Sequence, residues 1–249
     1  MKSLYQHPKS LTETTTIYCP GCGHGLIQKL IAEVIDELNL REKTVAVAPV
    51  GCAVLSYDYF NFDVTEAAHG RAPAVATAIR RVLPDALVFA YQGDGDLAAI
   101  GTAEIIHAAA RGEHFSVFFV NNATYGMTKG QMAPTTLPGQ KTTTSVSGRK
   151  TSLHGYPIRI AELLAQLDGA SYIERTSTSS LKEIATTKRA IKKAFLCQLN
   201  RKGFSLVEIL ASCPTNWKLS PGDALTWIKK EMESYYPVGV IKDILEIAP

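Results

Sequence analysis

Ala86-Leu-Val-Phe-Ala-Tyr91-Gln92-Gly93-Asp94-Gly95-Asp96 is the stretch on which the fold turns. An apolar run of strand length passes straight into an acidic glycine turn. The Ala/Ile-rich segment Leu97–Ala110 that follows carries a helical pattern. Phe115-Ser-Val-Phe-Phe-Val120 then reads as another strand and ends in Asn121-Asn122. Strand, tight turn, helix and strand in succession form the repeating unit of a parallel sheet.

The same alternation extends in both directions. Upstream, Gly25–Leu38 reads as an amphipathic helix with Leu26, Leu30, Ile31, Val34, Ile35 and Leu38 on one face. Thr44–Val50 reads as a buried strand ending in Gly51-Cys52, and residues 71–83 as a helix opened by Ala72-Pro73. Downstream, Ile158–Leu167 and Leu181–Leu199 read as helices, and Ser171–Glu174 and Phe204–Leu210 as strands. A last helix lies around Ala224–Tyr235, followed by a tail. Residues 1–18 form an arm, and about 124–156 a long loop rich in Gly, Pro and Thr; a loop that long is usually functional or covers a partner. The expected fold is a single α/β domain over 1–249 with a doubly wound, mostly parallel sheet. Such sheets bind ligands beyond the carboxyl ends of their strands. Gly51-Cys52, Gly93–Asp96, Asn121-Asn122 and Cys213 each follow a strand directly, so four chemically loaded segments share one edge.

Composition narrows the function. The 249 residues are 46% hydrophobic and 20% charged, with a net charge of +3. That is ordinary globular composition, too weakly basic to point to nucleic acid, and no apolar run is long enough to span a membrane. Met1–Pro8 shows no signal-peptide hydrophobic region, so a cytoplasmic protein is the expectation. An odd count of five cysteines in such a chain favours metal or redox roles over structural disulfides.

Gly93 and Gly95 let the backbone approach a ligand, and the helix start that follows favours anions. Asp94 and Asp96 alone would repel a pyrophosphate. Mg²⁺ resolves the conflict, because it takes few protein ligands plus phosphate oxygens. Asn121-Asn122, one helix and one strand later, supplies neutral oxygens at the neighbouring strand end. The plainer alternative is a helix cap at Asp94 and Asp96 and a simple turn at Asn121-Asn122.

Cys19-Pro-Gly-Cys22 precedes a helix. A thioredoxin-like pair would follow a strand, and haem attachment needs His directly after the second Cys, where Gly23 stands before His24. A metal or cluster site remains. Cys52 and Cys213, both just after strands, are the natural third and fourth ligands, whereas Cys197 lies among apolar residues and reads as structural. Four thiolates suit either Zn²⁺ or an iron–sulfur cluster.

Gly93-Asp94-Gly95 followed by Asn121-Asn122 resembles the motif of thiamine-diphosphate enzymes. By that resemblance Asp94, the Asn122 side chain and the Thr124 carbonyl bind Mg²⁺. Together with Cys19-Pro-Gly-Cys-Gly-His24, Pro49-Val-Gly-Cys52, His69-Gly-Arg-Ala72 and Cys213-Pro-Thr-Asn216, the pattern resembles the β subunit of 2-oxoacid:ferredoxin oxidoreductases over roughly residues 17–240. Tyr18–Ala133 looks nearest to the 2-oxoglutarate and 2-oxoisovalerate members, with 2-oxoglutarate favoured and 2-oxoisovalerate or pyruvate as alternatives. The resemblance implies a [4Fe–4S] cluster on Cys19, Cys22, Cys52 and Cys213. It implies coenzyme A as acyl acceptor and ferredoxin as electron acceptor. It also implies a partner α subunit that carries the glutamate activating the cofactor, with further γ and δ subunits in some members, so that the chain alone is inactive. Gly51, Cys52, His69, Gly93, Asp94, Gly95, Asp96, Asn122, Thr124, Gly126, Met127 and Thr128 are the expected cofactor-binding residues. His69 reads as catalytic or, more plainly, as a backbone-bonded cap. Met127 is expected on the thiazolium or in the core, and Thr128 at the diphosphate. The basic face of Lys188, Arg189, Lys192 and Lys193 reads as solvated, with acidic ferredoxin as a possible visitor. Two rival readings remain at this level: a non-oxidative thiamine enzyme subunit with structural zinc, and a nucleotide-binding or electron-carrier module.

Overall fold

Period-two burial along the central strands sets the architecture. In the computed structural model, which describes residues 6–245, Phe89 and Tyr91 face one side of the sheet and Val88 and Ala90 the other, all fully buried. Such a strand needs apolar cover on both faces, and only crossover helices provide it in a parallel sheet. The sheet comprises β1 (Thr44–Pro49), β2 (Asp63–Ala67), β3 (Leu87–Gly93), β4 (Ser116–Asn121), β5 (Ala170–Ser177), β6 (Phe204–Leu210) and β7 (Gly239–Asp243). Their order is β2-β1-β3-β4-β6-β5-β7; every pairing is parallel except that of β5 with β7.

One face is covered by α1 (Gly23–Glu37) and α7 (Leu181–Leu199), through Ile27, Ile31, Val34, Ile191 and Phe195. Phe118 meets Phe195 edge-on with ring centroids 5.1 Å apart. The start of α7 is fixed by an N-cap: the Ser180 side chain accepts from the Glu183 N–H. The other face is covered by α3 (Ala72–Val82), α4 (Thr102–Ala110) and α6 (Ile160–Ala165), whose Ala76, Ile105, Ala109 and Leu164 pack on Val117, Phe119 and Leu206. Pro73 sits in the first turn of α3, as the sequence suggests. Three lysines of α7 are paired: Lys188 with Glu33 and Glu37, Lys192 with Glu37, and Lys193 with Asp243.

Several expectations need correction. β2 and β7 are absent from the sequence reading because both are half-exposed edge strands with charged residues, lacking the apolar run that marks the central ones. β5 extends on to Ser177; buried Glu174 and Arg175 interrupt its apolar pattern. The segment expected as one helix over Leu97–Ala110 is a wide turn, Asp96–Ile100, followed by α4, because Gly101 N–H bonds back to the Asp96 carbonyl. The last helix is likewise interrupted, running as Pro221–Trp227, a wide turn at Ile228–Met232, and Glu233–Tyr235. The expected arm packs down from residue 6 onward: Leu11 bridges to Phe60, and Ser10 donates to Asp36. Residues 1–5, with much of the leader reading, and the last four residues of the tail lie outside the described residues. No helix among the described residues is long and apolar enough to cross a membrane.

Candidate active site at the carboxyl edge of the sheet

After β1 the chain departs toward the β2 edge, and after β3 toward β4. Their carboxyl ends therefore diverge and leave a crevice, the position where open α/β sheets bind ligands. A cleft of about 320 Å³ lies there, lined by residues that include Gly51, Cys52, His69, Gly93–Asp96, Asn122, Thr124 and Gly126–Thr128. The sequence-expected cofactor residues are thus brought together in one cavity. Val50, Ala53, Ile100 and Met127 add apolar surface, and among the described residues no lysine or arginine lines it.

Asp94 is buried at the end of β3. Its Oδ1 accepts the Asn122 N–H at 3.1 Å, and its Oδ2 accepts the Thr135 hydroxyl. Burial pushes the carboxyl up to about 7, against the pull of these donors. The outer end of the Asn122 amide stands 2.8 Å from the Thr124 carbonyl oxygen and 3.2 Å from Asp94 Oδ1. With its nitrogen there, the amide donates to both; with its oxygen there, three oxygens converge. Octahedral Mg²⁺, with ligands about 2.1 Å away, holds neighbouring oxygens about 3 Å apart. The donor set therefore fits that cation, with one carboxylate and two neutral oxygens beside an open cleft.

Asp96 has a different task. Its carboxylate accepts from His69 Nδ1 and the Gly70 N–H, each at 2.6 Å, and from Gln92 Nε2 at 2.6 Å. A carboxylate only accepts, so His69 Nδ1 carries the proton and Nε2 is the nitrogen left for the cleft. His69 is bonded to a side chain, not to backbone as the capping alternative supposed. Thr128 gives its hydroxyl proton to Gln131 Oε1 at 2.6 Å, within its own turn. Met127 is half-exposed at the mouth of the cleft and does not anchor the loop in the core.

The thiols gather beside this cleft. Cys22 N–H closes a turn onto the Cys19 carbonyl, and Gly21 takes φ +75°, a conformation that favours glycine. Ser212 Oγ donates to the Gly21 carbonyl at 2.6 Å, and Gly23 N–H to the Ser212 carbonyl, which moors the Cys19–Cys22 turn next to Cys213. The Tyr18 hydroxyl holds the Cys52 carbonyl at 3.0 Å. Burial raises the Cys22 thiol to about 12, with Cys213, Cys52 and Cys19 adding repulsion; burial likewise raises Cys52 to about 11, helped by Cys213 and Cys19. The burial penalty on the thiolate forms of Cys22, Cys52 and Cys213 is relieved when a cation is bound, which would take the protons' place. Cys197 stands apart, buried with its thiol toward the Gly203 carbonyl, as its sequence context suggests. Gly126 lies between the two donor sets. A Cβ there would be 3.2 Å from Cys52 Sγ, 3.8 Å from Asn122 Nδ2 and 3.9 Å from Cys213 Sγ.

Sequence reading missed the groups that hold this edge in shape. Arg149, nearly buried, donates to the carbonyls of Ala133, Pro134, Thr136 and Gly155 and so folds the long loop back over the site. Thr135 reaches Asp94 from that loop, and Asn216 Nδ2 donates to the Gly126 carbonyl at 2.9 Å and to Cys213 Sγ at 3.2 Å. His24 lines the cleft, its Nδ1 2.7 Å from the Tyr91 hydroxyl; burial lowers it to about 4 and keeps the ring neutral. Only the Asn216 and His24 contacts had a sequence signal, as both residues lie in motifs that also carry cysteines.

Comparison with known proteins agrees with this geometry. The family described as thiamine pyrophosphate enzyme, C-terminal TPP binding domain, matches residues 49–209. The chain is 48% identical to ketoisovalerate oxidoreductase subunit VorA of Methanothermobacter thermautotrophicus over 98% of its own length, and it spans 51% of that relative. It therefore covers about half of the ketoisovalerate relatives it matches. It is 36% identical to 2-oxoglutarate synthase subunit KorB of Archaeoglobus fulgidus, over 92% of this chain and 82% of that one. Its fold superposes with TM-score 0.78 and 25% identity on a chain of the 2-oxoglutarate:ferredoxin oxidoreductase from Magnetococcus marinus, solved with 2-oxoglutarate, coenzyme A and succinyl-CoA bound; the match covers 100% of this chain and 88% of that one. With a thiamine-family match over most of the strands that build the cleft, and relatives of this identity across nearly its whole length, the chain belongs to the thiamine-diphosphate-binding subunits of the 2-oxoacid:ferredoxin oxidoreductases.

Proposed function

We propose that this chain holds thiamine diphosphate through Mg²⁺ on Asp94, Asn122 and the Thr124 carbonyl, and a [4Fe–4S] cluster on Cys19, Cys22, Cys52 and Cys213. It serves a coenzyme A-dependent oxidative decarboxylation of a 2-oxoacid that passes electrons to ferredoxin. The observation that carries this reading is the placement of both donor sets around Gly126: a Cβ added there would stand 3.2 Å from Cys52 Sγ, 3.9 Å from Cys213 Sγ and 3.8 Å from the Asn122 amide, whose outer end lies beside Asp94 and the Thr124 carbonyl. When bound, the thiazolium ring supplies an electron sink for decarboxylation and the cluster a one-electron outlet.

The chain's own groups do the positioning. Asp94 would give the cation its one anionic protein ligand, so that the cation separates the carboxylate from the diphosphate, and the glycines at 93 and 95 admit the diphosphate to the strand end. His69, oriented by Asp96, presents Nε2 to the cleft, where it can hold or move a proton at the substrate carboxylate or carbonyl. Among the described residues no three His, Cys, Asp or Glu side chains converge as one ion's shell. The redox chemistry favours a cluster over structural zinc, because zinc is redox-inert and cannot take up the electrons that oxidative thiamine chemistry releases.

The cleft favours a branched apolar 2-oxoacid such as 2-oxoisovalerate over 2-oxoglutarate. A second carboxylate needs a cation, and the described residues line the cleft with Val50, Ala53, Ile100 and Met127 and no Lys or Arg. The similarity to ketoisovalerate oxidoreductase subunits supports the same choice. Partner subunits complete the enzyme. The test is anaerobic assay of the complex purified with its partners, with coenzyme A and ferredoxin, comparing 2-oxoisovalerate, 2-oxoglutarate and pyruvate. Highest kcat/KM for 2-oxoisovalerate and a brown protein are expected. A colourless, zinc-loaded complex inactive with ferredoxin would end the reading, and preference for 2-oxoglutarate would reverse the substrate choice.

A further inference from the structure

We infer that a buried ionic chain, Arg175–Glu208–Asn121, positions the cation donors by clamping the residue between them. This rests on the magnesium reading above. Arg175 and Glu208 are each about 1% exposed, on β5 and β6, with Nε 2.9 Å from Oε2. The rest of the guanidinium is satisfied by Glu162 and the Pro237 carbonyl, so it is locked. The other Glu208 oxygen accepts Asn121 Nδ2 at 2.7 Å. Glutamate bonded in this way can only accept, so the Asn121 amide is forced to send Nδ2 to Glu208 and Oδ1 elsewhere. Oδ1 accepts the Ala123 N–H at 3.1 Å.

Ala123 has φ +56°. A residue with a Cβ pays about 1–2 kcal/mol to sit there. It is flanked by Asn122 and Thr124, whose oxygens are the cation donors, and its own carbonyl is held by Thr136. If Ala123 relaxed to a right-handed conformation, Asn122 and Thr124 would no longer face Asp94 together. Stability does not explain the chain of charges, because a buried ion pair is commonly replaceable by apolar residues at no loss. Orientation does: the glutamate removes the alternative amide rotamer of Asn121, and the fixed amide holds the left-handed residue. Arg175, Glu208 and Asn121 are thus positioning residues.

Trp217 supplies the reporter, since its indole N–H donates to the Asn122 carbonyl at 3.1 Å. The experiment titrates Mg²⁺ into the full complex with saturating thiamine diphosphate, reading tryptophan fluorescence and retained cofactor, with circular dichroism to confirm folding. Asn121→Ala should raise the Mg²⁺ needed for half-saturation about 10–100-fold, as loss of a partner behind metal ligands does. Adding Ala123→Gly to that variant should recover most of the loss, because glycine takes φ > 0 freely. A purely structural role for Asn121 gives no such rescue. A folded Asn121→Ala protein with wild-type Mg²⁺ dependence, or a double variant no better than the single one, overturns the inference. Should Asn121→Ala fail to fold, Glu208→Gln decides: an elevated Mg²⁺ requirement supports the clamp and an unchanged one refutes it. Wild-type protein that binds thiamine diphosphate without any divalent ion would instead overturn the magnesium reading itself.

Discussion

The oxygen donors around Asp94 and the thiols around Cys52 are neighbours in space and opposites in construction. Asp94, Asn122 and Thr124 come from two adjacent strand ends within one strand–helix–strand unit, and all three are buried. The thiols come from the segment before α1, the turn after β1 and the turn after β6, and range from exposed Cys19 to buried Cys213. One site is local and built by backbone geometry. The other exists only when distant parts of the chain have closed, through Ser212 on Gly21 and Tyr18 on Cys52. The two should therefore fail separately, which variants can test.

The largest effect is expected from Asp94→Ala, which should reduce Mg²⁺-dependent thiamine diphosphate binding by on the order of 100-fold or more while iron content stays intact. Equilibrium dialysis with iron analysis checks both halves; concurrent loss of iron would break the distinction. Cys213→Ser is the mirror image. It should remove the visible iron–sulfur absorbance and leave cofactor affinity unchanged, because Cys213 contributes nothing to the oxygen set.

A pH experiment sharpens the same contrast. Burial holds the Asp94 carboxyl up at about 7, well above the usual carboxylate range. The folded state then binds the proton more tightly than the unfolded chain. Its stabilising contribution is whole below the unfolded value and is lost as pH rises through about 7, on the order of 4 kcal/mol. Urea melts at about pH 5 and about pH 8 should show this decline, and saturating Mg²⁺ should flatten it by taking the proton's place. An equal slope with and without Mg²⁺ would place the cation elsewhere. The smallest effect is expected from Gly126→Ala, the one change that touches both sites. Its Cβ would crowd Cys52 Sγ and cost about 1 kcal/mol, seen as few-fold losses in cofactor affinity and cluster retention together.

The sequence made the central strands and the donor list legible because those features are local. Phe115–Val120 announces a buried strand by composition, and Gly93–Asp96 announces a ligand turn by the conflict between its carboxylates and a helix start. What it left hidden depends on partners far along the chain. β5 was truncated because Arg175 breaks its apolar run, and that arginine finds Glu208 and Glu162 only after folding. Asp96 read as a cofactor contact and does line the cleft, but nothing local to it announced the bonds its carboxylate takes from His69, Gly70 and Gln92. The long loop read as functional, but nothing in its Thr-rich composition singled out Thr135 for Asp94 or Arg149 as the side chain that gathers its carbonyls.

The bond from Ser212 to Gly21 joins residues 191 positions apart. While the chain emerges from the ribosome its first three thiols are made early and lack the fourth until the segment just past the sixth strand has been synthesised. On the proposed cluster reading, the ligand set is complete only after most of the sheet has been synthesised. Until then Cys19 and Cys22 are an open dithiol that a reducing environment must protect.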